Sequence, residues 1–344
     1  MDQQIPHIDT ILTLGEFLRN YTKTEADPES KKLVEAIEKA SQKNPWFTQA
    51  HCKQALAWWG ECLTRDQITS WLSSYSTPIK QPKTVALVMA GNIPMVGFHD
   101  LLCVLLTGHK ALIKLSSKDD VLLPFLMDYM LEVDPALNSQ ISIAEGPFKG
   151  HEAVIATGSS NTARYFEYYF KDIPHIIRKN RNAVALLSGN ESVEELRSLG
   201  ADLFLYFGLG CRNVSKLYVP ENYDFEPLFK AIDPYQSLVS HNKYANNYHY
   251  YKAIYLMGAQ DVMDREFVLL KEDTSIASPI ANIYFEYYTD TAELFNLIDE
   301  NKEDIQCVVG ALGYPGELDF GQAQSPLLDD YADGVDTVEF LLKT

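Results

Sequence analysis

The spacing of apolar residues changes character near residue 80. Before it, "IDTILTLGEFLRNY" and "ESKKLVEAIEKASQKN" place apolar side chains three and four apart, which predicts amphipathic helices. "NPWFT" interrupts that period, Thr48 stands where a cap would start the helix "HCKQALAWWGECL", and "TRDQITSWLSSY" predicts one more short helix. The prolines of "STPIKQPK" then mark the entry into a different architecture. From Thr84 short apolar runs alternate with helical patterns. "TVALVMA" predicts a strand, "MVGFHDLLCVLLTG" a helix, "KALIKLS" a strand and "DDVLLPFLMDYMLEV" a helix. "QISIAEG" and "HEAVIATG" follow as strands and "SSNTARYFEYYF" as a helix. "NAVALLSG" opens a second α/β unit that runs through "VEELRSLGADLFLYF", "SKLYVP", "FEPLFKAI" and "AIYLMG". Its later strands are "ANIYFEYY" and "IQCVVGAL", with the helix "TAELFNLIDEN" between them.

Alternation of this kind predicts an α/β protein with mostly parallel sheets and helices on both faces. The expected divisions are an N-terminal helical segment over 1–80, a nucleotide-binding α/β domain over 81–205, a catalytic α/β domain over 206–325 and a tail over 326–344. The long apolar run from Val85 to Leu115 is broken by Gly91, Asn92, Pro94, His99 and Asp100, so it reads as strand, turn, helix and strand rather than as a membrane span.

A formal net charge of −18 argues against nucleic acid as a partner, because phosphate contacts need clustered Lys and Arg. It leaves room for a small anionic ligand at a local basic patch. The five cysteines are widely spaced and form no CxxC pair, so neither a disulfide framework nor a zinc knuckle is expected, and no metal is. With no basic, cleavable apolar leader in "MDQQIPHIDTILTLGEF", the expected location is the cytoplasm.

Four places carry candidate chemistry. Asn92, in "VMAGNIPMVGF", stands at the carboxyl end of a strand, where its amide can donate to an oxyanion or its side chain can cap the next helix. Lys114 ends "ALIKL" at the same edge, within reach of a ribose hydroxyl or phosphate or simply facing solvent. "IATGSSNTARYF" offers backbone N–H groups at Ser159 and Ser160 to a pyrophosphate, although it is not a GxGxxG fingerprint. Cys103 and Cys307 lie in apolar runs and read as small core residues. Cys211, in "YFGLGCRNVSKLYVP", instead follows a Gly-Leu-Gly turn, with Arg212 beside it to favour a thiolate. Trp46, Phe47, Trp58 and Trp59 read as core rather than as an acyl tunnel.

In this order the pieces resemble an aldehyde dehydrogenase core. "GNIP" resembles the family's Trp-Asn-Phe-Pro turn, "LIKLSS" its Lys-Pro-Ser ribose strand, "IATGSSNTAR" its Phe-Thr-Gly-Ser turn, and "YFGLGCRN" its Gly-Gln-Xaa-Cys nucleophile turn. "NPWFT", "HNKYANNYHYYKAIYLM" and the tail "FGQAQSPLLDDYADGVDTVEFL" resemble a narrower branch, the acyl-CoA reductases typified by the fatty-acid reductase of bacterial luminescence. The resemblance implies a Rossmann-type cofactor domain followed by an α/β catalytic domain. It implies Cys211 as nucleophile, Asn92 as oxyanion donor, and Lys114, Ser116, Ser117, Gly158 and Ser159 as cofactor contacts. An acyl-CoA substrate follows, with CoA leaving, and an acyl-donating partner protein and an oligomer both fit.

Two departures refine this. No carboxylate lies from Ile173 to Asn190, where ordinary aldehyde dehydrogenases keep the Glu that activates water, so a thioester there should persist for hydride or thiol attack; Glu191 is the nearest substitute. Ser116, Ser117 and Lys118 follow Lys114 without an acidic residue, which admits a 2′-phosphate and favours NADPH over NADH. Arg178, Lys179 and Arg181 form either a phosphate or CoA contact or a solvated turn. Reduction of another activated acyl group, such as an acyl phosphate, and a catalytically silent nucleotide- or partner-binding relative are the rival readings.

Overall fold

A computed structural model describes residues 5–23 and 27–344. The remaining positions of the expected 1–80 segment, 1–4 and 24–26, lie outside the described residues. The chain divides into two compact units, Met1–Lys179 with Leu327–Thr344, and Asn180–Pro326. This division falls after the fifth strand, earlier than the expected break at 205, and the tail belongs to the first unit rather than standing apart.

The first unit opens with α1 (Ile8–Asn20), α2 (Pro28–Lys43), α3 (Gln49–Cys62) and α4 (Arg65–Leu72). α1 buries Ile11, Leu14, Gly15 and Leu18, one stripe at helical spacing. Thr48 caps α3 as its position suggested, its side chain accepting from the His51 N–H. Phe47 and Trp59 are buried, and Trp59 packs edge-on against Phe98.

The alternating part then runs β1 (Thr84–Val88), α5 (Phe98–Thr107), β2 (Lys110–Lys114), α6 (Leu122–Val133), β3 (Ile141–Ile143), β4 (Ala153–Thr157), α7 (Ser160–Phe170) and β5 (His175–Arg178). The strands form one sheet in the order β3-β2-β1-β4-β5, and every pairing is parallel. β5 is a strand that the spacing of apolar residues did not reveal. Only four residues long, it carries the alternation Ile-buried, Arg-buried at an edge.

The second unit contains β6 (Asn182–Leu186), α8 (Val193–Phe204), β7 (Val214–Pro220), α9 (Glu226–Ile232), α10 (Asn242–Met257), β8 (Met263–Asp264), β9 (Leu269–Glu272), β10 (Asn282–Tyr288), α11 (Thr291–Glu300) and β11 (Ile305–Gly310). Its sheet has the order β11-β6-β7-β10-β9-β8, parallel except for the short β8–β9 pair. At the β7–β10 pairing, fully buried Lys216 donates to Glu286 at 2.5 Å and to the Asp273 carbonyl at 2.6 Å, so the charge buried in that sheet is compensated. α8 begins with a capping box in which Ser192 and Glu195 satisfy each other's backbone N–H.

The C-terminal segment is fastened to the first unit by polar contacts. Trp71 donates to the Tyr331 hydroxyl at 2.7 Å, Tyr75 donates to Asp336 at 2.7 Å, and His99 pairs with the Leu328 carbonyl at 2.8 Å. α12 (Thr337–Lys343) brings Thr337 to Arg178, whose guanidinium also pairs with Asp100 of α5 at 2.6 Å. Arg178 and Asp100 are both buried. Removing one partner of a buried pair leaves an uncompensated charge, whereas the intact pair itself adds little. Asp100→Ala is therefore expected to lower the unfolding free energy by about 3–5 kcal/mol, read as a fall in the urea midpoint. A wild-type midpoint would show that Arg178 does not depend on Asp100.

Candidate active site

Parallel strands send all their strand-to-helix turns to one edge of a sheet. In the first unit that edge carries the turn after β1 with Asn92, the end of β2 with Lys114 and Ser116, and the turn after β4 with Gly158 and Ser159. The chain order reverses between β1 and β4, so this is the crevice in which open α/β sheets hold ligands. Lys114, Ser117 and Ser159 are exposed, whereas Asn92, Ser116 and Gly158 are half-buried.

Each turn has a local cause. Ser159 is the N-cap of α7, its hydroxyl accepting from the Thr162 N–H. Gly158 lets the helix close on the strand, since a Cβ there would meet Thr162 at 3.0 Å and Phe166 at 3.2 Å. Asn92 does not cap α5, the alternative its position left open: that helix starts at Phe98 with Gly97 as N-cap and no side-chain cap. Asn92 instead sits in a turn pressed onto the residues after β2. A Cβ on Gly91 would strike the Ser116 hydroxyl at 2.5 Å, and the Met95 N–H donates to Asp119 at 2.6 Å. Asp119 is buried, and burial raises its carboxyl to about 7 against the opposing hydrogen bond from Met95.

The three cations read as either a phosphate or CoA contact or a solvated turn each have partners of their own. Arg178 is buried and already neutralised by Asp100, Lys179 pairs with Glu167 on α7 at 2.9 Å, and Arg181 belongs to the second unit. There it donates to the carbonyls of Lys302 and Ile305. Arg178 thus has a structural task that neither the phosphate nor the solvated-turn reading anticipated.

Cys211 lies in the second unit, half-buried, in the turn before β7. Tyr206 and Phe207 both adopt left-handed backbone, with φ 54° and 59°, and Gly208 follows at 73°. Two consecutive non-glycine residues in that region store strain of roughly 1–3 kcal/mol each, which the surroundings must hold. Asn213 does much of this. Its Oδ1 accepts from the Gly210 N–H at 2.8 Å, and its Nδ2 donates to the carbonyls of Asp202 and Leu205 at 3.0 and 2.9 Å. Asn213 is 1% exposed and ties the turn on both sides of Cys211 to the end of α8. Sequence alone assigned this asparagine no role; a polar residue directly before an apolar strand was the available signal.

Arg212, beside Cys211, is anchored to a segment about 110 positions further along the chain. Its Nε donates to the Ala323 carbonyl at 2.5 Å, and its charge acts on Asp202. Asp202 in turn accepts from the N–H groups of Gly321 and Ala323 at 2.6 and 3.0 Å. Burial lifts its carboxyl to about 6 against these bonds and Arg212. Glu191, the nearest substitute for the missing base, is spent on its own turn, accepting from the Ser188 N–H and hydroxyl and from the Gly189 N–H. No group of three or more His, Cys, Asp or Glu able to hold a metal occurs among the described residues. Nor is any helix among them long and apolar enough to cross a membrane.

Residues 62–163 match the family model described as acyl-CoA reductase (LuxC), and a solved structure of similar fold is aldehyde dehydrogenase 21 from Physcomitrella patens in complex with succinate. That structure aligns at TM-score 0.68 with 10% identity, over 99% of this chain and 85% of the other. Over residues 62–163 the chain is similar to the acyl-CoA reductases, and its fold is that of the aldehyde dehydrogenases. Two further structures agree on the fold. An NADP-dependent enzyme from E. coli aligns at TM-score 0.63 and 12% identity, over 87% and 73% of the two chains. An indole-3-acetaldehyde dehydrogenase from P. syringae, in complex with NAD+, aligns at 0.62 and 11%, over 90% and 73%. A search of curated proteins returns no match. The family match covers less than a third of the chain. It contains Asn92, Lys114, Ser116, Ser117, Gly158 and Ser159, and ends before Cys211. Family and fold together indicate an oxidoreductase that forms or processes aldehydes.

Asn213→Ala removes three hydrogen bonds, two of them fully buried, and leaves their partners unsatisfied. The expected loss is roughly 2–4 kcal/mol, measured by urea unfolding; a loss under half of that would mean the turn is held elsewhere. Asp202 makes a pH test. Its folded value lies above the ordinary carboxylate value near 4, so the folded state holds the proton longer, and the stability this group contributes is lost as pH rises from about 4 to about 6. Thermal midpoints of wild type and Asp202→Asn should therefore diverge across that window, the variant gaining on the wild type as pH rises. A constant difference would contradict the assignment.

Proposed function

We propose that the protein reduces an acyl-CoA, fatty acyl-CoA first among them, to the aldehyde with NADPH. The observation that carries this reading is the acyl-CoA reductase match over the segment that holds the three ligand-edge turns. The cofactor fits the residues present. A helix's first N–H groups have no partner within the helix, and those of α7 start at the sheet edge, suited to a pyrophosphate. Lys114, Ser116 and Ser117 supply a cation and hydroxyls for the ribose, and Lys118 rather than a carboxylate follows them, which tolerates a 2′-phosphate.

Cys211, as thiolate, forms a bond to the acyl carbon while the C–S bond to CoA breaks, and an acyl-enzyme thioester remains. Asn92 donates its amide to the developing oxyanion, a contribution of about 3–4 kcal/mol for such a donor. The nicotinamide, when bound, supplies the hydride that turns this thioester into a thiohemiacetal. The thiohemiacetal collapses to aldehyde and free Cys211. Hydrolysis competes poorly, since the Ile173–Asn190 stretch lacks a carboxylate and Glu191 is held by Ser188 and Gly189. A partner protein that delivers the acyl group is compatible with the scheme.

Purified protein incubated with NADPH and acyl-CoAs of increasing length should oxidise the cofactor and release aldehyde in equal amounts, and Cys211→Ala should do neither. Absence of both aldehyde and acyl-enzyme in the wild type would reject the acyl-CoA reading, and activity with an acyl phosphate alone would replace it.

A further inference from the structure

Asn92 sits in a turn whose own conformation needs support. Met95 has φ 57°, a left-handed backbone that a long L side chain adopts at a cost. The support comes from the residues that follow β2. Ser116 abuts Gly91 on one side of Asn92, and Asp119 accepts the Met95 N–H on the other. The Ser116–Asp119 loop is itself braced, by the Asp119 N–H to the Ser116 carbonyl at 3.0 Å and by Asn44, whose amide donates to the Lys118 carbonyl at 3.1 Å. Asp119 is 2% exposed, and its second oxygen, Oδ1, has no hydrogen-bond partner among the described residues. A buried carboxylate kept half-satisfied is expensive, so it would not persist for packing alone.

We propose that Asp119 is a positioning residue for the oxyanion donor: its carboxylate grips Met95 and thereby fixes the turn that presents Asn92. This rests on the reading of Asn92 given above. It also couples the ribose-side loop to the oxyanion turn, because Ser116 and Asp119 belong to one short segment. The groups around Asp119 are few. Cys52 of α3 lies within its electrostatic reach, with its thiol raised to about 12 by burial and by Asp119. Asp120 adds repulsion but is itself paired with Lys43 of α2 at 2.5 Å. The Gly91–Gly97 turn contains no titratable residue. Burial raises the Asp119 carboxyl to about 7, so a titration at this place in that range is expected of Asp119.

Two measurements test the proposal. In the first, Asp119→Ala should lower kcat for aldehyde formation by roughly 10- to 100-fold with KM for acyl-CoA changed less than about threefold. Asp119→Asn, which keeps a carbonyl acceptor, should recover most of that loss. Equal loss in both variants, or a rise in KM alone, overturns the positioning role. The second needs no activity. Protein labelled with 15N-methionine gives seven methionine sites, with Met95 assigned through Met95→Leu. The Met95 amide should titrate with a midpoint near 7 in the wild type and not in Asp119→Asn. A Met95 amide that ignores pH across that range overturns the proposal even if the variants fail to fold. A wild type without acyl-CoA activity but with a titrating Met95 would reject the functional reading and retain the grip.

Discussion

Parallel pairing forbids a tight return between neighbouring strands, so each strand must be followed by a crossover before the next can join it. In the first unit this one constraint puts the turns after β1, β2 and β4 at the same edge although they are separated by up to about seventy positions in the chain. Everything proposed for nucleotide binding depends on that arrangement. Asn92, Lys114 and Ser159 have no common motif, and each alone has a bland explanation. What makes them a set is that the sheet places β1 between β2 and β4 with a register that brings Val88 beside Lys114 and beside Ala156.

The two units hold their turns by different means. The first uses side-chain charge: the Asp100–Arg178 pair behind α5, and Asp119 under the Asn92 turn. The second uses a neutral amide. Asn213 satisfies one N–H and two carbonyls with a single side chain, which costs less desolvation than a carboxylate would in the same place. A neutral brace next to Cys211 has a further consequence. It adds no negative charge near the sulfur, and negative charge would disfavour a thiolate.

Much of the architecture was legible because periodicity reports burial. β1, β2 and β4 in one sheet and β6 and β7 in the other are apolar runs, and α1 to α4 carry apolar stripes at helical spacing. β5 was not legible: its four residues mix His and Arg with two Ile, and only tertiary partners make Arg178 a buried residue. The unit boundary was misread for the same reason, since the end of β5 looks like the middle of a polar loop. At the candidate site the strand-end residues could be named from the chain, whereas Asn213, Asp119 and Asp202 could not. Their roles consist of hydrogen bonds to backbone groups 8, 24 and about 120 positions away, and no local pattern encodes such partners.

The five cysteines differ in how far burial suppresses the thiolate. Cys52, Cys62 and Cys103 are buried, and burial pushes their thiols up, to about 12 and about 11 for the first two and well above the usual thiol range for Cys103. Cys103 has His99 at 3.8 Å, yet burial lowers the histidine's affinity for a proton while raising the thiol's, so an ion pair does not form there. Only Cys211 and Cys307 are partly accessible. Cys307 lies within β11, its backbone committed to a sheet and its side chain packed against the core. Cys211 lies in a turn, after three left-handed residues and before β7 begins. Reactivity at a cysteine needs approach as well as ionisation, and Cys211, proposed above as the nucleophile, is a partly accessible thiol in a turn rather than within a strand.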